Sequence, residues 1–496
     1  PPDKGARPAS PGPPFLDIWG KNIKAEVSSL VFSSLLFLFL YLPLVLGVYY
    51  LTPLRWRNAF LLVVNLIFYG WGEPTYIVLM VFTILVDYFA GALVGRWKGQ
   101  GKDLQARWAV GLSLALNLAI LFFFKYWDLI AGTLRGFGLD LLPSLGLSLP
   151  IGISFYTFQT MTYPVDVYRG DAQVQRSVVN FGTFVTLFPQ LIAGPILKYK
   201  ELADQVDQRS YSVEQFANGV HIFVIGLGKK VLLANNIGML WDAYKAMPTG
   251  ELTVLGAWLG VLAFSLQLYF DFSGYSDMAV GLGRMLGFEF LKNFDYPYIS
   301  RSVTEFWRRW HISLGSWFRE YVYIPMGGNR VSRGRLCFNL MVVWGLTGLW
   351  HGASWNFLLW GLYFGILLIV EKLWLGRLLE RWPAALRHVY TLFLVLVSWA
   401  IFALEDFSQL GTYLSAMFGF AGGGLWDPAF GYYLRSYLVV LVIGCITATP
   451  LCAGLWRRIP KRGQAVVLPV LVLAGLLLST AYLVDATYNP FLYFRF

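Results

Sequence analysis

The stretch 336–370 contains no Asp, Glu, Lys or Arg, yet basic residues stand at both ends, Arg330, Arg333 and Arg335 before it and Lys372 and Arg377 after it. As one helix it would measure about 52 Å at ~1.5 Å per residue, too long for a hydrocarbon core of ~30 Å. Two complete crossings of about 20 residues each, plus a turn, would need more chain than the stretch supplies. The pattern therefore predicts a broken hairpin that enters and leaves on one face, with its apex inside the membrane. Its turn is expected at 348–354, where Gly348, Gly352 and Ser354 interrupt the apolar pattern. Irregular backbone at that depth needs protein or a water-filled cavity around it, which places His351 beside a cavity.

The remaining composition agrees with a membrane chain. Of the 496 residues 57% are hydrophobic and only 14% charged, against about 25% charged in a soluble domain. Residues 30–51 form an uncharged run long enough to span, and further apolar runs follow, among them 108–126, 146–163, 178–197, 214–240, 252–272, 273–292, 389–404, 436–455 and 464–483. The expected fold is an all-α polytopic bundle of about eleven spans with re-entrant and interfacial helices, forming a single membrane-embedded domain over 30–496. Residues 1–29 are polar and Pro-rich, without the apolar core and cleavage site of a signal peptide, and suit a disordered tail or an added tag.

The net charge of +11 would suggest nucleic acid only if the bases shared a soluble face. They sit instead in short clusters between apolar runs, as the positive-inside rule describes, so no nucleic-acid partner is expected and the lipid bilayer is. The cluster Lys372, Arg377, Arg381, Arg387 and the cluster Arg457, Arg458, Lys461, Arg462 flank a segment, 405–434, that contains no Lys or Arg. Both clusters should be cytoplasmic and the intervening segment external. Arg96, Lys98 and Lys102 mark another inner loop, and 128–150, with Arg135 alone, should be external. Counting back puts the N-terminus outside, despite four basic residues in the tail.

Four histidines are candidates for chemistry. His221 and His388 read as structural or interfacial. An intramembrane ionisable group is a functional hypothesis by default, and histidine exchanges a proton near neutral pH, so His351 is the leading catalytic candidate. His311, in Glu305-Phe-Trp-Arg-Arg-Trp-His-Ile-Ser313, is balanced between structural and functional readings. As one helix, this region places Phe306, Trp310, Trp317 and Tyr321 on one stripe and Glu305, Arg309, Ser316 and Glu320 on another, with Glu305 and Arg309 spaced to pair. It is expected to be an amphipathic interfacial helix. The arginines at 301, 308, 309, 319, 330, 333 and 335 make either a positive-inside loop or a landing site for an anionic donor, since guanidinium forks match phosphate. Arg308, Arg309, Arg319 and Arg330 are the donor-binding candidates. Asp271 and Asp277 are equally readable as buried acceptors or as cavity walls, and Asn356 is a candidate oxyanion donor by proximity. Gly281, Gly283 and Gly287 lack dinucleotide spacing, and no Gly-x-Ser-x-Gly, His-Glu-x-x-His or other metal-ligand pattern occurs. The three cysteines suggest neither a disulfide framework nor a zinc site.

Several motifs together resemble the membrane-bound O-acyltransferase family, in its bacterial polysaccharide branch: Leu149-Pro-Ile-Gly-Ile-Ser-Phe-Tyr-Thr-Phe158, Phe188-Pro-Gln-Leu-Ile-Ala-Gly-Pro195, Gln267-Leu-Tyr-Phe-Asp-Phe-Ser-Gly-Tyr-Ser-Asp-Met278, the Glu305 to Ser313 motif, Gly348-Leu-Trp-His-Gly352 and the terminal Asn489-Pro-Phe-Leu-Tyr-Phe-Arg-Phe496. The likeness runs from Val31 to the end. It implies a helical fold around a transmembrane tunnel, a catalytic role for His351 and a supporting one for His311. It further implies acetyl-CoA as a cytoplasmic acyl donor substrate with no resident cofactor, and a bacterial inner-membrane location. The acceptor side implied is a periplasmic acetyl-transferring protein of serine-esterase-like type, working with polysaccharide synthesis and export machinery on alginate, cellulose or a similar glycan. A teichoic-acid D-alanyl transferase and a non-enzymatic export or permease subunit are the alternatives.

Overall fold

The computed structural model describes residues 30–248, 250–485 and 488–490. The expected tail over 1–29 and most of the terminal motif at 489–496 lie outside these. The described residues form helices and turns, with no strand among them. In chain order the main elements are α1 (Phe37–Leu51), α2 (Arg57–Gly72), α3 (Ile77–Gly99), α4 (Asp103–Lys125), α5 (Ile153–Arg169), α6 (Val178–Thr186), α7 (Val213–Lys245) and α8 (Val254–Met285). They continue with α9 (Val303–Arg309), α10 (Ile312–Phe318), α11 (Arg333–His351), α12 (Trp355–Leu379), α13 (Ala384–Ala403), α14 (Pro428–Thr447) and α15 (Lys461–Asp485).

Among the described residues, 8 helices are long and apolar enough to cross a membrane: α3, α4, α7, α8, α12, α13, α14 and α15. The estimate of eleven spans counted apolar runs, and some of those runs are not separate crossings. The runs 252–272 and 273–292 merge into α8, a helix about 48 Å long at ~1.5 Å per residue. Asp271 and Asp277, which made that boundary look polar, stay inside the helix because each is neutralised by a lysine of α7. Lys230 Nζ lies 2.7 Å from Asp271 and Lys229 Nζ 2.6 Å from Asp277. They are buried or half-buried acceptors joining two helices.

α8 organises the interior. Its first half, through Phe270 and Phe272, belongs to one apolar core with Trp310, Trp360 and Trp399. Its second half, from Tyr275 through Leu286, belongs to another with Phe158, Trp317 and Trp350. The exterior is lined with large apolar side chains such as Phe39, Leu112, Val439 and Leu473, as lipid contact requires.

The uncharged stretch does form a hairpin. α11 and α12 run antiparallel, and their open ends are tied together where Lys372 donates to Tyr323 Oη at 3.2 Å and to Asn329 Oδ1. Two features differ from expectation. The turn is only Gly352-Ala353-Ser354, because Gly348 is helical and serves close packing: a Cβ there would stand 2.2 Å from the Phe357 carbonyl oxygen, and one on Gly361 2.2 Å from that of Trp344. The arms are also longer than the uncharged run, since helix continues into the flanking charges at Arg333 and through to Leu379. They measure about 28 and 37 Å at ~1.5 Å per residue, so shortage of chain does not by itself set the apex at mid-depth.

Candidate active site

The helix expected across 304–321 is broken, and its aromatic face is buried in the bundle. α9 ends at Arg309, Trp310 is extended, and His311 adopts φ 45°, ψ 56° before α10 begins. A non-glycine residue in this left-handed region is uncommon. The break is held by the irregular segment before α9: Asp295 N–H donates to the Arg309 carbonyl and Ile312 N–H to that of Asn293, both at 2.9 Å. Buried Glu371 fastens the start of α9, accepting from the Val303 and Thr304 N–H groups at 2.7 and 2.8 Å. The break divides the aromatic stripe between the two cores. Phe306 and Trp310 pack with Trp399, whereas Trp317 stacks on Phe158 with centroids 3.9 Å apart.

His311 therefore lies on the seam between cores, against Phe272, Phe294 and Trp350. Its tautomer follows from its neighbours. Asn293 Oδ1 accepts from Ser313 N–H at 3.1 Å and Ser313 Oγ–H at 3.0 Å, and it stands 3.2 Å from His311 Nδ1. An amide oxygen cannot donate, so Nδ1 carries the proton and Nε2 keeps its lone pair in the neutral ring. That Nε2 is buried and has no hydrogen-bond partner among the described residues.

His351 is the last residue of α11 and occupies the same seam. Its ring meets Trp350 at 5.1 Å, Trp360 at 5.1 Å and Phe402 at 5.4 Å between centroids. The structure thus brings the two histidines together on either contact of one indole, Trp350. No carbonyl of the turn engages the His351 ring among the described residues. The turn is held instead by the end of α4. The last carbonyls of α11 lack intrahelical donors, as at any helix C-terminus. Lys125 Nζ donates to the Trp350 carbonyl at 2.5 Å and Tyr126 Oη to that of Leu349 at 2.7 Å.

His351 and Lys125 open onto a pocket whose other walls are Trp350 and the start of α5, including Gly152 and Ser154. Gly152 makes this wall possible: its φ is +73°, and a Cβ would lie 2.8 Å from the Leu191 carbonyl oxygen. The pocket sits at the end of α4 remote from Arg96, Lys98 and Lys102. About 34 Å of helix at ~1.5 Å per residue separates them. The neighbouring 128–150 segment is folded back at this end by Asp128, which accepts from Leu145 and Gly146 N–H at 2.8 and 3.0 Å.

The arginine candidates lie elsewhere. Arg308, Arg319 and Arg330 are exposed and make no ion pair among the described residues. Arg309 is already engaged by Glu305 at 3.0 Å and Asp295 at 3.3 Å. About 24 Å of α11 at ~1.5 Å per residue separates Arg335 from His351. This cluster can reach the far end of a long donor and not its reacting carbon. Nearby, burial raises the Glu320 pKa, but hydrogen bonds and charge from Lys198, at 2.7 Å, and Lys200 outweigh it and leave the carboxyl below its ordinary value.

Asn356 does not serve as the oxyanion donor that proximity suggested. Its Nδ2 donates to the Ile401 and Phe402 carbonyls at 3.2 and 3.1 Å and pins α12 to α13. Sequence reasoning missed two residues here. Lys125, ending an apolar run, looks like an ordinary interfacial anchor, and only the packing of α4 against the hairpin reveals it as 7% exposed. Asn293 carried no signal at all.

Residues 100–408 match the profile described as "MBOAT, membrane-bound O-acyltransferase family". The probable alginate O-acetylase AlgI of Azotobacter vinelandii is 39% identical, over 94% of this chain and 100% of that protein. The peptidoglycan O-acetyltransferase of Helicobacter pylori is 32% identical over 81% of this chain and 82% of its own length. A teichoic acid D-alanyltransferase of Bacillus subtilis is 29% identical over 52% of this chain and 69% of its own. With the helical bundle, the apolar exterior and the matched profile together, the chain is a multi-pass membrane acyltransferase and belongs to the membrane-bound O-acyltransferase family.

Proposed function

We propose that the protein moves acetyl from cytoplasmic acetyl-CoA to the hydroxyl of an extracytoplasmic acceptor, by way of a periplasmic serine-esterase-like partner, for modification of a polysaccharide such as alginate. The observation that carries this reading is the placement of His351 in a pocket at the end of α4 opposite the basic loop. By the positive-inside rule that end faces outward. An acceptor enters there, while the exposed arginines hold the phosphate-bearing part of the donor on the other face. Relatives named as alginate O-acetylases and a peptidoglycan O-acetyltransferase support an acetyl donor and a carbohydrate destination over a D-alanyl donor.

In this mechanism His351 accepts the acceptor hydroxyl's proton as that oxygen attacks the thioester carbonyl. The new C–O bond forms, the C–S bond breaks, and His351 returns the proton to the leaving thiolate. Such general acid–base work is worth typically ~10²–10⁴-fold. His311 offers a lone pair at Nε2, so it orients a donor group of the substrate and does not polarise the carbonyl. Labelled acetyl-CoA, purified protein in detergent and a candidate acceptor test the reading. His351→Gln should retain expression and donor binding and lose nearly all transfer. Full transfer by that variant at neutral pH refutes the base role, and uptake of intact substrate without transfer points to a permease.

A further inference from the structure

Acyl transfer at His351 places negative charge on the acyl carbonyl oxygen as the hydroxyl adds, and that charge needs a partner in a site walled by Trp350, Trp360 and Phe402. Asn356 is spent on backbone carbonyls. The pocket beside His351 contains one lysine, Lys125, which is 7% exposed and makes no ion pair among the described residues. An ammonium has three donors. Two of them go to the Trp350 carbonyl at 2.5 Å and to Ser154 Oγ at 3.3 Å, which leaves one for the pocket. Capping a helix C-terminus explains a cation at this place. It does not explain why the charge is buried in the same pocket as His351, since Tyr126 caps the adjacent carbonyl with a neutral hydroxyl.

We propose that Lys125 is the oxyanion-stabilising residue of the acyl transfer, a role that rests on the reading of His351 as its general base. When the hydroxyl oxygen bonds to the carbonyl carbon, the π pair moves onto the carbonyl oxygen, and Lys125 donates its third N–H to that oxygen. On collapse the pair re-forms C=O, the C–S bond breaks, and His351 delivers the hydroxyl's proton to sulfur. Lys125 keeps its protons throughout. Because the same ammonium holds the Trp350 carbonyl, it also fixes the distance between the oxyanion site and the neighbouring His351 ring.

The experiment is steady-state transfer with purified full-length protein, labelled acetyl-CoA and a hydroxyl acceptor, run on Lys125→Gln, Lys125→Arg, Tyr126→Phe and His351→Gln, with Tm recorded for each. Glutamine can still donate to the Trp350 carbonyl but carries no charge. Lys125→Gln is expected to lower kcat about 10²–10³-fold, the usual effect of removing an oxyanion donor, with KM for donor and acceptor within about threefold. Lys125→Arg should retain more activity than Lys125→Gln, and Tyr126→Phe should stay within about threefold of wild type. Wild-type kcat in Lys125→Gln overturns the proposal, and so does an equal loss in Tyr126→Phe, which would make both residues mere caps. A raised acceptor KM with unchanged kcat also overturns it, in favour of recognition of an anionic acceptor. If Lys125→Gln does not fold, Lys125→Arg decides: loss of transfer at unchanged Tm counts against the proposal, and retention within about tenfold supports it. Full activity of His351→Gln would sink the general-base reading separately, whatever the lysine variants show.

Discussion

At the residue scale, the two histidines differ in what their surroundings leave free. His311 has one nitrogen committed to Asn293 and the other without a described partner. The backbone beneath it is left-handed. Asparagine tolerates that conformation better than most residues, so His311→Asn separates the ring's chemistry from the backbone's demand. It should fold with a Tm within about 1 °C of wild type, below the roughly 2 °C that a ~1 kcal/mol loss produces in a domain half this size, while transfer falls by about 10²-fold, the order lost when a positioning contact to the substrate is missing. His311→Val should instead lower Tm markedly, because a β-branched residue at positive φ is strained by ~1–3 kcal/mol. Equal Tm for the two variants would show that the break does not depend on the left-handed residue.

At the element scale, the hairpin of α11 and α12 is the part that delivers His351. Its arms touch backbone to backbone at Gly348 and Gly361, and the turn is clamped by Lys125 and Tyr126 from α4. A methyl at Gly348 meets a carbonyl oxygen and must push the arms apart, at a cost of ~1–3 kcal/mol for overpacking. Gly348→Ala should therefore destabilise the protein in detergent and weaken transfer through displacement of His351. Gly345→Ala is the control, because a Cβ there has only Leu358 and Leu362 side chains at 3.8 and 3.9 Å, and it should be near neutral. Thermal unfolding of both variants checks this, and similar losses would remove the close-approach argument.

At the scale of the whole molecule, the proposed route requires the two ends of the site to open on opposite faces. In a background with Cys337, Cys445 and Cys452 replaced by serine, cysteine at Arg335 or Lys372 should react with an impermeant maleimide only from the cytoplasm. Cysteine at exposed Leu141, in the segment folded near the His351 pocket, should react only from outside. Reaction of positions 335 and 141 from the same side would leave no path across the membrane between donor and acceptor.

Much of this architecture was legible in the order of residues. An uncharged stretch between basic clusters has few ways to be satisfied in lipid, so the hairpin with His351 at its turn is legible in the charge pattern and the small residues that interrupt it. The depth of the apex is not, because both helices run on into the flanking charges. The pairing of Glu305 with Arg309 followed from helical spacing, and it is present at 3.0 Å. What only the tertiary structure decided were contacts between residues far apart in the chain. Whether Thr304 to Tyr321 stays one helix depends on backbone hydrogen bonds from 293 and 295, which no periodicity encodes. The burial of Asp271 and Asp277 inside one long helix depends on lysines of α7, more than 40 residues earlier in sequence as their spacing in the chain shows. Lys125 reads locally as the charged end of an apolar helix, and becomes part of a site only because the hairpin turn, 225 residues on, ends against it. Local pattern sets which segments are helical and apolar, since those properties depend on neighbours within a few turns. The placement of His311 and His351 against one indole, and of Lys125 beside His351, is set by how two separate cores close against each other, and that closure is a property of the packed molecule.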